Sequence, residues 1–151
     1  MAEGYKFSLQ KLLEMREEKE EESKRKFSES KKAKIQTENE LNSMRRDFDK
    51  YKGIKPGEDV VYQKIKRRYL VALEVGIKNK EKELIAKERD LELKRLDLKE
   101  KQIDRKTVAK LKEKDYAKFI KEQNRIEQIN NDEFALYGYI RNIERGWDEW
   151  Y

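Results

Sequence analysis

The sequence predicts an all-α fold: a long antiparallel two-helix coiled-coil hairpin whose second helix is longer than the first and overhangs it. Three observations carry the prediction. Ile77, Leu84, Leu91 and Leu98 recur at strict heptad spacing, with Leu70 one heptad earlier. So narrow a seam suits a partner helix better than a globular core. Charged residues make up 46% of the chain, against six Gly and one Pro, the balance of long helices rich in Leu, Lys, Glu and Arg. The same composition also suits disorder, but here the apolar residues are periodic rather than scattered. The one strong interruption is Gly53-Ile54-Lys55-Pro56-Gly57. Gly53 can end a helix in the left-handed conformation and Pro56 cannot continue one. A turn that short returns the chain antiparallel.

Residues 1–151 therefore read as a single hairpin domain. The first helix covers about 8–52, the turn 53–57, the second helix about 58–143 and an aromatic tail 144–151. After a frayed start, Ser8 is the expected N-cap of the first helix, with Phe7 and Leu12 at the spacing of a hydrophobic staple. An alternation of four and three steps then runs Leu9, Leu13, Arg16, Glu20, Ser23, Phe27, Ser30, Lys34, Thr37, Leu41, Met44, Phe48, Tyr51. Its ends are apolar and its middle polar. That middle contributes little burial and is expected to be the loosest part of the pairing.

The second helix is to start at Gly57 or Asp59, with Phe48 and Tyr51 facing Val61, Tyr62 and Ile65. Its second seam row reads Leu73, Lys80, Lys87, Lys94, Lys101, Val108, where lysine stems can lie along the seam with their charges in water. Gly76 costs some helix stability without ending the helix, Asn130-Asn131 is a weak spot, and Gly146 is the expected stop. At ~1.5 Å per residue, ~85 residues make a helix of roughly 130 Å, about twice what the first can cover.

Closing the hairpin at the turn puts Leu9 opposite residue 101 or so. Everything past about Arg105 then lacks an intramolecular partner. That overhang carries Val108, Leu111, Tyr116, Phe119, Ile120, Ile126, Ile129, Phe134, Tyr137, Ile140 and Ile143 at helical spacing, a partner-binding surface by default. The competing reading is a shifted register in which the first helix covers part of this stripe. The tail, with Trp147, Trp150 and Tyr151, reads as a docking peptide.

The chemistry that is missing bounds the function. With no Cys and no His, the commonest thiolate and imidazole metal ligands and the commonest general base are gone. No Gly-rich phosphate loop is present, and the many carboxylates lie on helices too charged to perturb them. Neither a cofactor, a metal nor a small-molecule ligand is expected, and an enzyme is disfavoured. No stretch is long and apolar enough to span a membrane, and the lack of a signal-peptide core points to the cytoplasm.

The net charge of +6 sits in the middle of the chain, where Val60 to Lys106 holds 15 basic and 9 acidic residues. Such an excess is ordinarily a solvated face; a docking surface for an acidic protein or anionic lipid headgroups is the minority reading. Basic residues beside Tyr62 and Tyr69 raise nucleic-acid binding, but interspersed acids and the absence of a matching module argue against it.

The layout and two segments resemble a known family. A first helix opening on Phe7-Ser-Leu-Gln-Lys-Leu-Leu, a turn near one third of the chain and a longer basic helix resemble the FliJ family of flagellar type III export. Asn124-Arg125-Ile126-Glu127-Gln128 followed by Asp132-Glu133-Phe134-Ala135 is similar to that family's C-terminal signature, and Tyr69-Leu-Val-Ala-Leu73-Glu74-Val-Gly-Ile77 to its central stretch.

The resemblance implies a non-enzymatic, monomeric hairpin similar to the stalk of rotary ATPases. Its implied partners are the hexameric flagellar export ATPase, whose ring it promotes, the cytoplasmic domain of the transmembrane export gate, and export chaperones. Its implied location is cytoplasmic, peripheral at the inner membrane. By the same resemblance Tyr69 and Leu73 match the gate contact. Contacts to the ATPase or another partner are expected at Leu9, Leu12, Leu13, Tyr116, Phe119, Asn124, Arg125, Ile126, Gln128, Asp132, Glu133 and Phe134. The alternative is a generic structural or tethering coiled coil, a parallel dimer with no link to an ATPase.

Overall fold

A computed structural model describes the backbone of residues 4–148 and the side chains of residues 4–143. It is all-α: α1 spans Gln10–Tyr51 and α2 spans Val60–Asp148, packed as an antiparallel hairpin. The first helical bond of α1 runs from Leu13 N–H to the Leu9 carbonyl, and a preceding turn is closed by Gln10 N–H on Phe7 O. Ser8 thus lies inside that turn, one residue before the cap position, which Leu9 occupies. α2 runs through Gly146 instead of stopping near residue 143. The expected aromatic tail lies outside the residues whose side chains are described.

The chain divides into two compact units, Arg16–Asp104, and Met1–Met15 with Arg105–Tyr151. Within Arg16–Asp104 the buried side of α1 is the side the alternation marks. Glu20, Ser23, Ser30, Thr37 and Leu41 are buried, and Phe27, Lys34, Met44, Phe48 and Tyr51 are half-buried. On α2, Leu73 is buried, and Ile77, Leu84, Leu91 and Leu98 are half-buried with Lys80, Lys87, Lys94 and Lys101 beside them. The lysine stems therefore lie along the seam while their ammonium groups reach carboxylates, as Lys80 does to Glu40 at 2.6 Å and Glu83 at 2.9 Å.

The polar middle of α1 is paired by hydrogen bonds rather than by apolar burial. The Ser23 hydroxyl donates to Asp97 Oδ2 at 2.6 Å, and one heptad on Ser30 donates to Asp90 Oδ2 at 2.7 Å. Arg16 donates to Asp104. Farther towards the turn the same row becomes apolar: Gly76 leaves room for Met44, whose Cε lies 3.6 Å from where a Cβ would stand. The Tyr51 ring meets Tyr69 edge-on, centroids 5.6 Å apart.

In this row the two residue numbers of a pair add to 120 (16 and 104, 23 and 97, 30 and 90, 44 and 76, 51 and 69). The register expected from closing the helices directly at the turn is ten residues short of that. Tyr51 faces Tyr69, and Val61, Tyr62 and Ile65 are left exposed. The reason lies in the loop, which runs from Lys52 to Asp59 and folds back along α2. Gly53 and Gly57 adopt positive φ of 83° and 88°, a conformation costly for residues with a Cβ. Asp59 O accepts the first helical bond of α2 from Gln63 N–H. The Glu58 carboxylate accepts from the Lys55 amide at 3.2 Å and from Lys66 Nζ at 2.7 and 2.8 Å. Glu58 therefore occupies the seam position in front of Lys66 that the expected register gave to α1.

The other unit is built on the N-terminal segment. Leu13 and Val108 are buried, and Lys112 Nζ donates to Gln10 Oε1 at 2.8 Å. Tyr5 lies against Tyr116 and Phe119, with ring centroids 5.1 and 5.4 Å away. Its hydroxyl donates to Asp115 Oδ2 at 3.0 Å and lies 3.3 Å from the Lys112 carbonyl. Partial burial first, then the Asp115 carboxylate, raises the Tyr5 phenol above its ordinary value. Val108, Tyr116 and Phe119 are thus partnered within the chain. The overhang begins near Lys121 rather than Arg105: the shifted register lets α1 reach Lys112 through Gln10, and the segment before α1 covers Tyr116 and Phe119 through Tyr5.

Candidate functional site

From Lys121 to Ile143 every residue of α2 is exposed. This stretch nevertheless repeats the alternation of three and four that marks the buried side of α1. Ile126, Ile129, Leu136, Ile140 and Ile143 fall on one row, interrupted only at Glu133. Such a row is a coiled-coil seam without a partner. Phe134 and Tyr137, 74% and 64% exposed, flank it. A helix that shows such an apolar seam to water is a surface made to be covered. Leu136 belongs to the row although helical spacing counted from Phe134 and Tyr137 passes over it. Stepping three and four from Ile126 finds it.

The expected partner residues separate into covered and open sets. Leu13 is buried and Leu12 half-buried in the hairpin, and Tyr116 and Phe119 are held by Tyr5; Leu9 is exposed. Asn124, Arg125, Ile126, Gln128, Asp132, Glu133 and Phe134 are all exposed. Only Ile126 and Glu133 of these lie on the seam row, with Phe134 beside it. The Arg125 guanidinium is forked onto Glu122 one turn back, with contacts of 2.8 to 3.1 Å. That bond first, and then the charge itself, raises Arg125 and lowers Glu122 relative to their ordinary values.

The two residues matched to a gate contact do not form one surface. Tyr69 is 43% exposed, whereas Leu73 is 8% exposed and belongs to the hairpin seam. Gly76 and Lys80, farther along that side of α2, are likewise turned to Met44 and Glu40.

Among the described residues no group of His, Cys, Asp and Glu side chains is placed to hold a metal ion. No described helix is long and apolar enough to cross a membrane. The arrangement offers surfaces and charges rather than an enclosed site. The family described as flagellar FliJ protein matches residues 5–144, which takes in all of α1, α2 as far as residue 144 and the whole exposed seam. No curated protein and no solved structure matches the chain.

Proposed function

The chain belongs to the flagellar FliJ protein family, and on that premise we propose that it is the stalk-like, non-enzymatic component of flagellar type III protein export. As a monomeric hairpin in the cytoplasm at the flagellar base, it binds the hexameric export ATPase, promotes assembly and activity of the ring, and couples it to the transmembrane export gate. Escort of export chaperones is a further part of the same role. The observation that carries the reading is the uncovered seam of Ile126, Ile129, Leu136, Ile140 and Ile143 with Phe134 at its flank. A soluble helix keeps such a row only where another protein covers it for part of the time. The gate contact in this reading uses the exposed Tyr69, with Leu73 supporting it from within the seam.

A parallel dimer has no support here, because the second strand of the coiled coil is supplied by the chain itself. The test is binding of the purified cognate ATPase to the full chain and to a Phe134→Ser, Ile140→Ser variant. Both substitutions are at exposed positions, so helical content should be kept while ATPase binding falls at least tenfold. Unchanged binding would remove the seam from the ring contact.

A further inference from the structure

We propose that the loop and first four turns of α2 form a docking surface for an anionic lipid bilayer, with Lys64, Arg67 and Arg68 on the headgroup phosphates and Ile54, Val61 and Ile65 in the interface. This goes beyond the stalk reading and needs neither the ring nor the gate.

Charge is the first support. Almost everywhere in this chain carboxylates are mixed among the lysines and arginines, but between Asp59 and Glu74 there are four basic residues and no acidic one. One of the four, Lys66, is consumed by Glu58 and buried. Lys64, Arg67 and Arg68 are exposed, and among the described residues none of them is paired with a carboxylate.

The apolar surface at the same place is the second. Ile54 at the loop is 77% exposed and Val61 and Ile65 are each more than half exposed. Ile54, Val60, Lys64, Arg67 and Leu70 line an open groove of about 490 Å³ between loop and helix. The outward row of α2 reads Val61, Ile65, Arg68, Ala72, Val75.

That row distinguishes the occupant. Polar residues do not by themselves bar a partner helix, as the hairpin's own seam shows. But Arg68 in the middle of this row, with Lys64 and Arg67 beside it and no carboxylate among the described residues to meet them, calls for an occupant dense in negative charge. A bilayer interface accepts the mixture: apolar side chains sink below the headgroups while the long basic side chains reach back to the phosphates. Four or more basic residues clustered on such a helix are the usual mark of anionic-lipid recognition, and Lys55 on the loop, whose charge also acts on Glu58, brings the exposed set to that number. Tyr62 and Tyr69, each partly exposed, are of the residue type that sits at headgroup level.

The experiment is sedimentation of the full chain with vesicles of phosphatidylcholine alone and with vesicles containing phosphatidylglycerol, at low and high salt. The expected result is binding to the anionic vesicles only, weakened by salt. A Lys64→Gln, Arg67→Gln, Arg68→Gln variant should lose roughly a hundredfold in affinity, since each basic residue contributes about a factor of five. An Ile65→Ser variant should bind more weakly at every salt concentration, and Ile140→Ser on the overhang should bind as the parent does. Equal binding to both kinds of vesicle, no binding to either, or undiminished binding by the triple variant would overturn the proposal and leave the surface to an acidic protein. Because the stalk reading is tested by ATPase binding at other residues, either can fail without the other.

Discussion

Leu41 is the most completely buried side chain among the described residues, 2% exposed, on a helix whose central seam is largely polar. Few neighbours can collapse into the space it fills, so Leu41→Ala should cost about 2–5 kcal/mol, read from urea unfolding followed by helical circular dichroism. The carboxyls along the seam set the response to pH. Asp97 is held below its ordinary value, first by the Ser23 hydroxyl and then by nearby lysines. Glu40 is held below its own, first by Lys80 and then by Gln36. A group whose folded value lies below its unfolded one contributes its full stabilisation above the unfolded range, about pH 4 for carboxyls, and loses it as pH falls through the folded value. Thermal stability should therefore hold from neutral pH to about 5 and decline below about 4. Asp97→Asn should flatten part of that decline.

At the scale of the elements, the two ends of the pairing differ in kind. Around Leu41, Met44 and Tyr51 the seam buries apolar groups, whereas from Arg16 to Ser30 it is closed by hydroxyl–carboxylate and ion-pair contacts. Net hydrogen bonds of this sort contribute about 1 kcal/mol each, and exposed ion pairs less. Amides of residues 17–33 should therefore exchange with deuterium faster than those of residues 40–50 by mass spectrometry; the reverse order would mean the polar contacts hold better than apolar packing.

The buried side of α1 was legible in the sequence because a four-three alternation marks it whether the residues are Leu or Ser. The register was not. Heptads filled with lysine look alike when slid past one another, and the choice is made by single pairings such as Ser30 with Asp90 and by Glu58 taking the place in front of Lys66. Periodicity carries neither. Nor could it show that Tyr5 would reach back to Tyr116 and Phe119, since the segment before Leu9 has no helical pattern to extrapolate.

For the molecule as a whole, the family match over residues 5–144 agrees with the resemblance carried by the Asn124–Ala135 signature. The exposed overhang was legible because Ile126, Ile129, Ile140 and Ile143 keep helical spacing beyond any partner in the chain. The gate pair was legible only as a resemblance, and the structure sets Leu73 inside the seam. What remains decisive is whether the overhang does to an ATPase ring what its uncovered seam suggests. The direct measurement is ATP hydrolysis by the purified cognate export ATPase, titrated with the full chain and with a chain ending at residue 123, ring size being followed by sedimentation. Stimulation and larger rings with the full chain, and neither with the shortened one at preserved helicity per residue, is the predicted result. Equal stimulation by both, or by neither, would contradict it.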